Sequence, residues 1–312
     1  MIIKFIVVIF IFYALYAKFI EKRSIESKIM ENFMFLAPIP NVEDDLNNKK
    51  EFTFKLSSKY KTTNKIINKN LCDMDVLIMN EDSKNDKVII YIHGGCYLYN
   101  LNKEQLSMID KLCSKTNNTV YIPLYPLLPN NNYLDAYDKL LNLYTSILEK
   151  FEANNIIFMG DSAGGSLCLG LSMLIKEKKL PQPSQIILVS PWLDISLTNK
   201  NIDVFLSKKD KILDKDQLLT AANLWSKGQD LNNYLLSPIN GDLNNLPPIT
   251  IFIGTYDILY PDVLVLQKKL IQAQNKTNIY VYEKMLHVFT IFPIPEANKA
   301  INEIADIINQ ST

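Results

Sequence analysis

Residues 156–165 read Ile-Ile-Phe-Met-Gly-Asp-Ser-Ala-Gly-Gly. The apolar residues Ile156–Met159 predict a buried strand, and the sequence Ala163–Lys179 is compatible with a helix. Between them, the motif G-x-S-x-G places Ser162 at a sharp strand-to-helix turn, where glycine two positions away on each side avoids steric clashes. The pattern therefore predicts that Ser162 is a nucleophile, and the alternative is a glycine-rich turn that contains an incidental serine.

The sequence on both sides of this turn alternates between short apolar runs and longer amphipathic stretches. Continuous apolar runs such as Lys87–Ile92 are typical of central strands that helices cover on both faces. Strands that alternate with helices predict right-handed βαβ units and a mostly parallel sheet in one α/β domain. The predicted strands are Glu51–Ser58, Asp73–Met79, Lys87–Ile92, Thr119–Leu124, Ile156–Met159, Gln185–Ser190, Ile249–Ile253 and Asn278–Tyr282. The predicted helices are Tyr133–Phe151, Ala163–Lys179, Asp262–Ala273 and Glu296–Asn309.

The interval Thr198–Asp242 interrupts this alternation, because it is polar and mainly helical in character. We expect it to pass over the carboxyl edge of the sheet, where folds of this class bind ligands.

A second glycine motif, His93-Gly94-Gly95-Cys96, follows the apolar run at residues 87–92. Five of the nine glycines in the chain lie in this motif and in residues 160–165. This concentration indicates that both strand exits need backbone geometry that other residues adopt poorly. Glycines there allow the backbone to approach a substrate and to point N–H groups at an oxyanion, so Gly94 and Gly95 are candidate donors.

A serine nucleophile of this kind needs a histidine base and an acid that orients the histidine. The chain has only two histidines, and because His93 lies within the glycine motif, His287 is the expected base. Asp257 follows a predicted strand and is the expected acid. Asp262 remains the alternative, although its place at the start of a predicted helix suits a carboxylate that interacts with the helix dipole.

Composition and charge exclude several classes of protein. The chain has 312 residues, of which 48% are apolar and 21% charged, and this excludes a disordered chain and a multi-span membrane protein. Its 33 basic residues balance 33 acidic ones, so charge does not favour binding to nucleic acid. Two histidines and four cysteines without a CxxC pair do not form a zinc-site pattern, and we expect no metal and no organic cofactor.

The N-terminal segment, residues 1–20, is almost wholly apolar. Its uncharged run Phe5–Ala17 has 13 residues, fewer than the ~20 of a spanning helix, but Lys4 and Lys18 at its ends could extend to the interface. We therefore predict a membrane anchor, followed by a catalytic domain over residues 21–312. A cleaved signal peptide and a helix packed on the domain are the alternatives, with a cytoplasmic or secreted protein as the alternative location.

Several motifs, taken together, resemble the hormone-sensitive-lipase-like branch of the α/β-hydrolase fold over roughly residues 87–309. They are YIHGGCY (91–97), YPLLPNNNYLDAYD (125–138), GDSAGG (160–165), SPWLDIS (190–196), LPPITIFIGTYDILYPD (246–262) and LHVF (286–289). The resemblance implies an α/β-hydrolase fold in which helices and a small helical cap flank a mostly parallel central sheet. It also implies that Ser162 is the nucleophile, His287 the general base and Asp257 the orienting acid.

The same resemblance assigns the oxyanion donors to the backbone N–H groups of Gly95, Cys96 and Ala163. Cys96 stands where the family usually has a third glycine. A backbone donor survives that change, but the added side chain narrows the pocket and restricts the backbone.

The activity implied is hydrolysis of carboxylic esters, of the esterase, lipase or deacetylase type. The expected partner is a small apolar ester with a short or medium acyl group, with membrane association possible through the N-terminal segment. The alternative is a non-catalytic ligand-binding protein on the same scaffold. Relatives of that kind lose the catalytic histidine, whereas His287 is present here.

Overall fold

An eight-stranded sheet forms the centre of the computed structural model, which describes residues 10–36, 41–48, 54, 56, 60–205, 209–210 and 212–310. The strands are β1 Ile66–Leu71, β2 Met74–Met79, β3 Val88–Ile92, β4 Thr119–Pro123, β5 Ile156–Asp161, β6 Gln185–Val189, β7 Ile249–Gly254 and β8 Thr277–Tyr282. Their order across the sheet is β1-β2-β4-β3-β5-β6-β7-β8. β2 pairs antiparallel with both β1 and β4, and the other pairs are parallel.

The central strands are buried on both faces, as their continuous apolar sequences predict. In β3, Ile90 belongs to the core on one face of the sheet and Ile89 to the core on the other. The α-helices that follow residue 20 in the described chain are α1 Ile25–Leu36, α2 Val42–Asn47, α3 Lys103–Thr116, α4 Tyr133–Leu148, α5 Ala163–Glu177, α6 Lys200–Phe205, α7 Lys215–Ser226, α8 Tyr260–Gln272 and α9 Pro295–Gln310. Residues of α4, α5 and α8 join the first core, and residues of α3 and α9 join the second.

The predicted architecture, a mostly parallel sheet flanked by helices with a small helical cap, is therefore confirmed. The cap contains α6 and α7 of the interval 198–242 and is joined by α2. Asp214 begins α7 by accepting hydrogen bonds from the N–H groups of Asp216 and Gln217. The Gln217 side-chain oxygen in turn accepts from the N–H of Val42, at 2.7 Å, which joins α7 to α2.

Strand β1 and the helices α1, α2 and α3 were not predicted from the sequence. Strand β1 is a half-exposed edge strand with polar residues at its centre, so it lacks a clear apolar alternation. Helix α3 begins with a capping box formed by Asn102 and Gln105. This pair is a sequence signal for the start of a helix, but no helix was predicted between the strands on either side. The predicted strand Glu51–Ser58 lies mostly outside the described residues, and residues 54 and 56 are not in a strand.

A charged cluster around Arg23 helps to hold the N-terminal region against the domain. Residues 10–15 are α-helical and continue into a π-helix, Tyr16–Ile20. The buried guanidinium of Arg23 donates to the carboxylates of Glu21 and Glu31 and, at 3.4 Å, to the carbonyl oxygen of Lys284. The last contact joins the N-terminal region to the loop that precedes His287.

The predicted anchor, residues 1–20, lies partly outside the described residues. Within residues 10–36 and the rest of the described chain, no helix combines the length and apolar character needed to cross a bilayer. The anchor therefore has no support from the structure. The domain boundary at residue 20 stays a prediction.

Candidate active site

Ser162 lies in the turn between β5 and α5, at the carboxyl edge of the sheet. Its φ of 51° and ψ of −122° are unusual for a residue with a side chain and indicate local backbone strain. A Cβ atom on Gly160 would lie 2.5 Å from the carbonyl oxygen of Gly164, and one on Gly164 would lie 2.0 Å from that of Ile92. Both glycines are therefore required sterically by this turn.

Ser162, His287 and Asp257 form one continuous chain of hydrogen bonds. The distance from His287 Nε2 to Ser162 Oγ is 2.9 Å, and that from His287 Nδ1 to Asp257 Oδ2 is also 2.9 Å. Because a carboxylate only accepts, Nδ1 carries the ring proton and Nε2 is left to accept from the serine hydroxyl. All three residues are buried, and the N–H of Leu259 donates to the other oxygen of Asp257 at 2.9 Å.

Asp262, the alternative acid, occupies a different place. It lies in the first turn of α8, where its Oδ1 accepts a hydrogen bond from the Asn199 side chain at 2.8 Å. Burial raises the pKa of Asp262 to about 6. The carboxylate that bonds to His287 is that of Asp257, so the two aspartates contact different partners.

The second histidine, His93, is part of the glycine loop. Its Nδ1 lies 2.8 Å from the carbonyl oxygen of Gly94, and its ring stacks on that of Tyr125 with 4.6 Å between the centroids. Burial lowers the pKa of His93 to about 4, so the ring is neutral over most of the pH range. These contacts position the loop and leave the other imidazole, His287, beside Ser162.

The glycine loop differs from the prediction at Gly94. Its N–H donates to Asp161 Oδ1 at 3.0 Å and is therefore not available to a substrate oxygen, which removes Gly94 from the predicted donors. Within the part of the chain that the structure describes, no protein acceptor lies on the N–H groups of Gly95, Cys96 or Ala163. Ala163 is the first residue of α5, where N–H groups have no partner within the helix.

Cys96 occupies the position of the usual third glycine with a φ of 53°, in the left-handed region that favours glycine. Its side chain lines the pocket described below. Burial raises the pKa of the Cys96 thiol to about 12, so the group is neutral and acts here as a small apolar side chain.

Asp161 is a functional neighbour that the sequence did not reveal. Its buried carboxylate accepts from the Tyr91 hydroxyl, from the Gln105 side chain at 2.9 Å and from the N–H of Gly94. Burial raises the pKa of Asp161, although these hydrogen bonds oppose that shift. The carboxylate thereby fixes the glycine loop relative to the neighbouring Ser162. The partners come from β3 and α3, so no local sequence pattern could have identified them.

A pocket of about 290 Å³ opens onto Ser162 and His287. This volume is at the lower end of the range for small-molecule sites, roughly 300–1,000 Å³. Its wall is mainly apolar and comes from four parts of the chain: the N-terminal region, the glycine loop with the residues that follow it, the cap and the loop after His287. The apolar side chains in the wall are Met34, Val42, Cys96, Tyr99, Ile212, Leu213, Leu218, Val288, Ile291 and Phe292. The contribution of α1 and α2 was not predicted.

The electrostatic environment of His287 favours its protonated form. Burial lowers the pKa of His287, but the carboxylates of Asp257, Asp210 and Asp161 more than offset burial, and the net pKa is raised above its ordinary value. A reaction that needs neutral His287 therefore loses rate as the pH falls through this raised pKa.

The comparison with known families covers most of the catalytic domain. The profile of the α/β-hydrolase fold family matches residues 89–291, which include the glycine loop, Ser162, Asp257 and His287. The chain belongs to the α/β-hydrolase fold family. Within that family, the structural neighbours of this α/β hydrolase include an esterase of the bacterial hormone-sensitive lipase family, with a TM-score of 0.82 and 21% identity over 93% of this chain and 99% of the other.

More similar relatives are named as ester hydrolases. An esterase from Acinetobacter venetianus is 33% identical over 225 residues, which are 70% of this α/β hydrolase and 74% of the relative. An acetyl-hydrolase from Streptomyces hygroscopicus is 24% identical over 72% of this chain and 76% of its own. A candidate esterase of Staphylococcus aureus superposes with a TM-score of 0.81 at 30% identity, covering 86% and 91% of the two chains. This α/β hydrolase is a carboxylic ester hydrolase.

Proposed function

We propose that the protein hydrolyses carboxylic esters with Ser162 as nucleophile, His287 as general base and Asp257 as the acid that orients His287. The observation that carries this proposal is the hydrogen-bond chain from Ser162 Oγ through the imidazole to Asp257 Oδ2, with 2.9 Å at each step. The buried carboxylate of Asp257 lies at one end of this series of hydrogen bonds. Ser162, at the other end, faces an apolar pocket. This arrangement suits removal of the hydroxyl proton as the serine attacks.

The proposed reaction has two halves. His287 Nε2 takes the proton of Ser162 Oγ while that oxygen bonds to the ester carbonyl carbon. The ester C–O bond then breaks, His287 returns the proton to the departing alcohol, and the acyl group stays on Ser162. Water then attacks the acyl-enzyme as His287 takes its proton. The bond between the acyl carbon and Ser162 Oγ breaks, His287 returns the proton to Oγ, and the carboxylic acid leaves.

The negative oxygen of each tetrahedral intermediate needs hydrogen-bond donors that are already in place. The N–H groups of Gly95, Cys96 and Ala163 are the proposed donors, because they have no protein acceptor among the described residues. Loss of one such donor typically costs ~2.7–4 kcal/mol of transition-state stabilisation.

The substrate that we propose is an ester with a short or medium acyl chain, since the apolar pocket is small. A series of 4-nitrophenyl esters from acetate to palmitate tests this proposal. We expect kcat/KM to be highest between acetate and hexanoate and to fall by about tenfold or more at dodecanoate, because a longer chain cannot be buried fully. Equal or higher kcat/KM for dodecanoate and palmitate would contradict it. The Ser162→Ala variant supplies the background rate at each chain length.

We further propose that the N-terminal region associates with a membrane surface. Residues 10–36 expose many large apolar side chains, which are Phe10, Ile11, Phe12, Leu15, Tyr16, Phe19, Ile20, Ile29, Phe33, Phe35 and Leu36. Exposed apolar patches of this kind are rare on monomeric soluble proteins and are typical of interaction sites. Met34, on the same helix as Phe33, lines the pocket, so a surface-bound enzyme would open its active site close to the lipid.

Removal of residues 1–20 is expected to weaken vesicle binding and to leave ester hydrolysis intact. A chain that begins at Glu21 keeps the buried contacts of Glu21 and Arg23, and it keeps the hydrogen bonds of Ser24 to Glu296 at 2.6 and 2.7 Å. Co-sedimentation with vesicles of phosphatidylcholine and phosphatidylglycerol measures binding, and hydrolysis of 4-nitrophenyl acetate measures activity. Equal sedimentation of both chains would contradict the surface proposal.

A chain that begins at Ile25 is the matched control for that truncation. This shorter chain lacks Glu21, Arg23 and Ser24. Glu31 therefore loses the guanidinium that pairs with it, and Glu296 loses its hydrogen bonds to Ser24. We expect a lower melting temperature for this control than for the chain that begins at Glu21.

A further inference from the structure

A second carboxylate, that of Asp210, is buried between the cap and the turn that carries Asp257. Only 7% of this residue is exposed. One of its oxygens accepts from the N–H groups of Ile212 and Leu213, at 2.8 and 3.0 Å, and the other accepts from the N–H of Ile258 at 2.9 Å. The side chain therefore holds three backbone groups from two separate parts of the chain.

Both parts belong to the active site. Ile212 and Leu213 contribute to the wall of the pocket, and Ile258 directly follows Asp257. The next N–H in that turn, of Leu259, donates to Asp257 itself. Successive N–H groups of one turn thus hold two different carboxylates, and a displacement of Asp210 would move both the pocket wall and the acid.

We propose that Asp210 is a positioning residue for ester hydrolysis, which fixes the turn of Asp257 relative to the cap loop and keeps a second negative charge beside the Asp257–His287 pair. The proposal rests on the roles proposed above for Ser162, His287 and Asp257. Asp210 does not touch the reacting atoms and acts through these residues.

Burial opposes the ionisation of Asp210, but the charge, once present, assists the proposed reaction. Burial raises its pKa to about 6, and the charge of Asp257 adds to this shift, whereas His287 and the N–H groups of Leu213 and Ile212 oppose it. Above pH 6 Asp210 is mainly ionised, so it already carries its charge at the higher pH, above the raised pKa of His287, where a neutral imidazole is available as a base. When His287 takes the proton of Ser162, the Asp210 charge favours the imidazolium ion that forms.

The charged groups around Asp210 and His287 come from several elements of the fold. Asp257 and His287 are joined to each other, and Asp161 lies at the end of β5 and also raises the pKa of His287. Lys209 precedes Asp210 in the chain, and its ammonium lies 5.1 Å from the centre of the Tyr256 ring. Removal of the Asp210 charge alone is therefore expected to lower the pKa of His287, because Asp257 and Asp161 stay in place.

The variant Asp210→Asn tests the proposal, since it keeps the size of the side chain and removes its charge. An amide can still accept from Ile212 and Leu213, but its NH₂ group then faces the N–H of Ile258, and that hydrogen bond is lost. We expect kcat for 4-nitrophenyl acetate to fall by about tenfold or more. We also expect the acid limb of the kcat/KM profile to move to lower pH.

Asp110→Asn is the matched control. Asp110 is equally buried and accepts from the N–H groups of Thr63 and Asn64 at 2.8 and 2.9 Å, on the β1 side of α3. A loss of backbone hydrogen bonds that is merely structural should appear in the melting temperatures of both variants. Only Asp210→Asn should move the pH profile, and Asp210→Glu, which restores the charge, should move it back towards that of the wild type.

Three results would separate the possibilities. A wild-type kcat and pH profile for Asp210→Asn would overturn the proposal. So would a profile that matches that of Asp110→Asn, with a lowered melting temperature as the only change. Failure of the triad itself is distinguishable, because Ser162→Ala would then keep its activity whatever Asp210→Asn does.

Discussion

Ser162→Ala is expected to reduce kcat for 4-nitrophenyl acetate by about 10⁶-fold, the scale seen when a triad serine is removed. The variant has no oxygen at the end of the hydrogen-bond chain, so no acyl-enzyme can form on this residue. The backbone should tolerate the change, because alanine and serine have nearly the same size and the turn is set by Gly160 and Gly164. Purified variant and wild type, assayed with saturating ester, give the ratio directly.

Ser166→Ala is the matched control for this measurement. Ser166 is also buried and lies one turn further along α5, but it does not line the pocket. We expect it to keep its activity, and circular dichroism should show both variants to be folded. The nucleophile is assigned wrongly if Ser162→Ala retains more than about a thousandth of the wild-type kcat, because the oxyanion hole and substrate binding alone leave a rate far below that, only ~10³–10⁴-fold above the uncatalysed reaction.

Asp257→Asn is expected to lower kcat by up to ~10⁴-fold while the geometry of the site is kept. The carboxylate accepts the Nδ1 proton of His287 at 2.9 Å and thereby leaves Nε2 free to accept from Ser162. An asparagine that turns its NH₂ group towards the ring instead favours the opposite tautomer, with the proton on Nε2. The variant also loses the charge that stabilises the imidazolium ion. Its kcat with saturating ester is the quantity to measure.

Asp262→Asn provides the comparison for this variant, because both aspartates are buried and lie close in sequence, Asp257 in the β7–α8 connection and Asp262 in the first turn of α8. Asp262 contacts Asn199 and not His287, and an amide oxygen can accept the hydrogen bond from Asn199 in its place. We expect Asp262→Asn to have a far smaller effect on kcat than Asp257→Asn. If Asp262→Asn proved the more damaging of the two, the acid would be placed wrongly.

The predicted strands at the centre of the sheet agree with the structure to within about two residues. Lys87–Ile92 corresponds to β3 and Gln185–Ser190 to β6, because strands covered on both faces must be apolar throughout. Strand β1 was not predicted, because an edge strand that is half exposed can carry polar residues at its centre and then lacks a continuous apolar run.

The sequence by itself determined the architecture and two of the candidate residues. Its alternation of apolar and amphipathic segments determined the class of sheet, and the motif around Ser162 is a local steric requirement that a short stretch of sequence can state in full. With two histidines in the chain, elimination was enough to select His287.

Only the tertiary structure decided the features that depend on contacts between distant segments. It joined Asp257 rather than Asp262 to His287, directed the N–H of Gly94 to Asp161 instead of the pocket, and placed Asp210 beside Ile258. Each of these contacts joins residues between 30 and 67 positions apart in the chain. Their distances are set by how helices and loops pack around the sheet, and the residue type alone does not specify which buried carboxylate meets which donor.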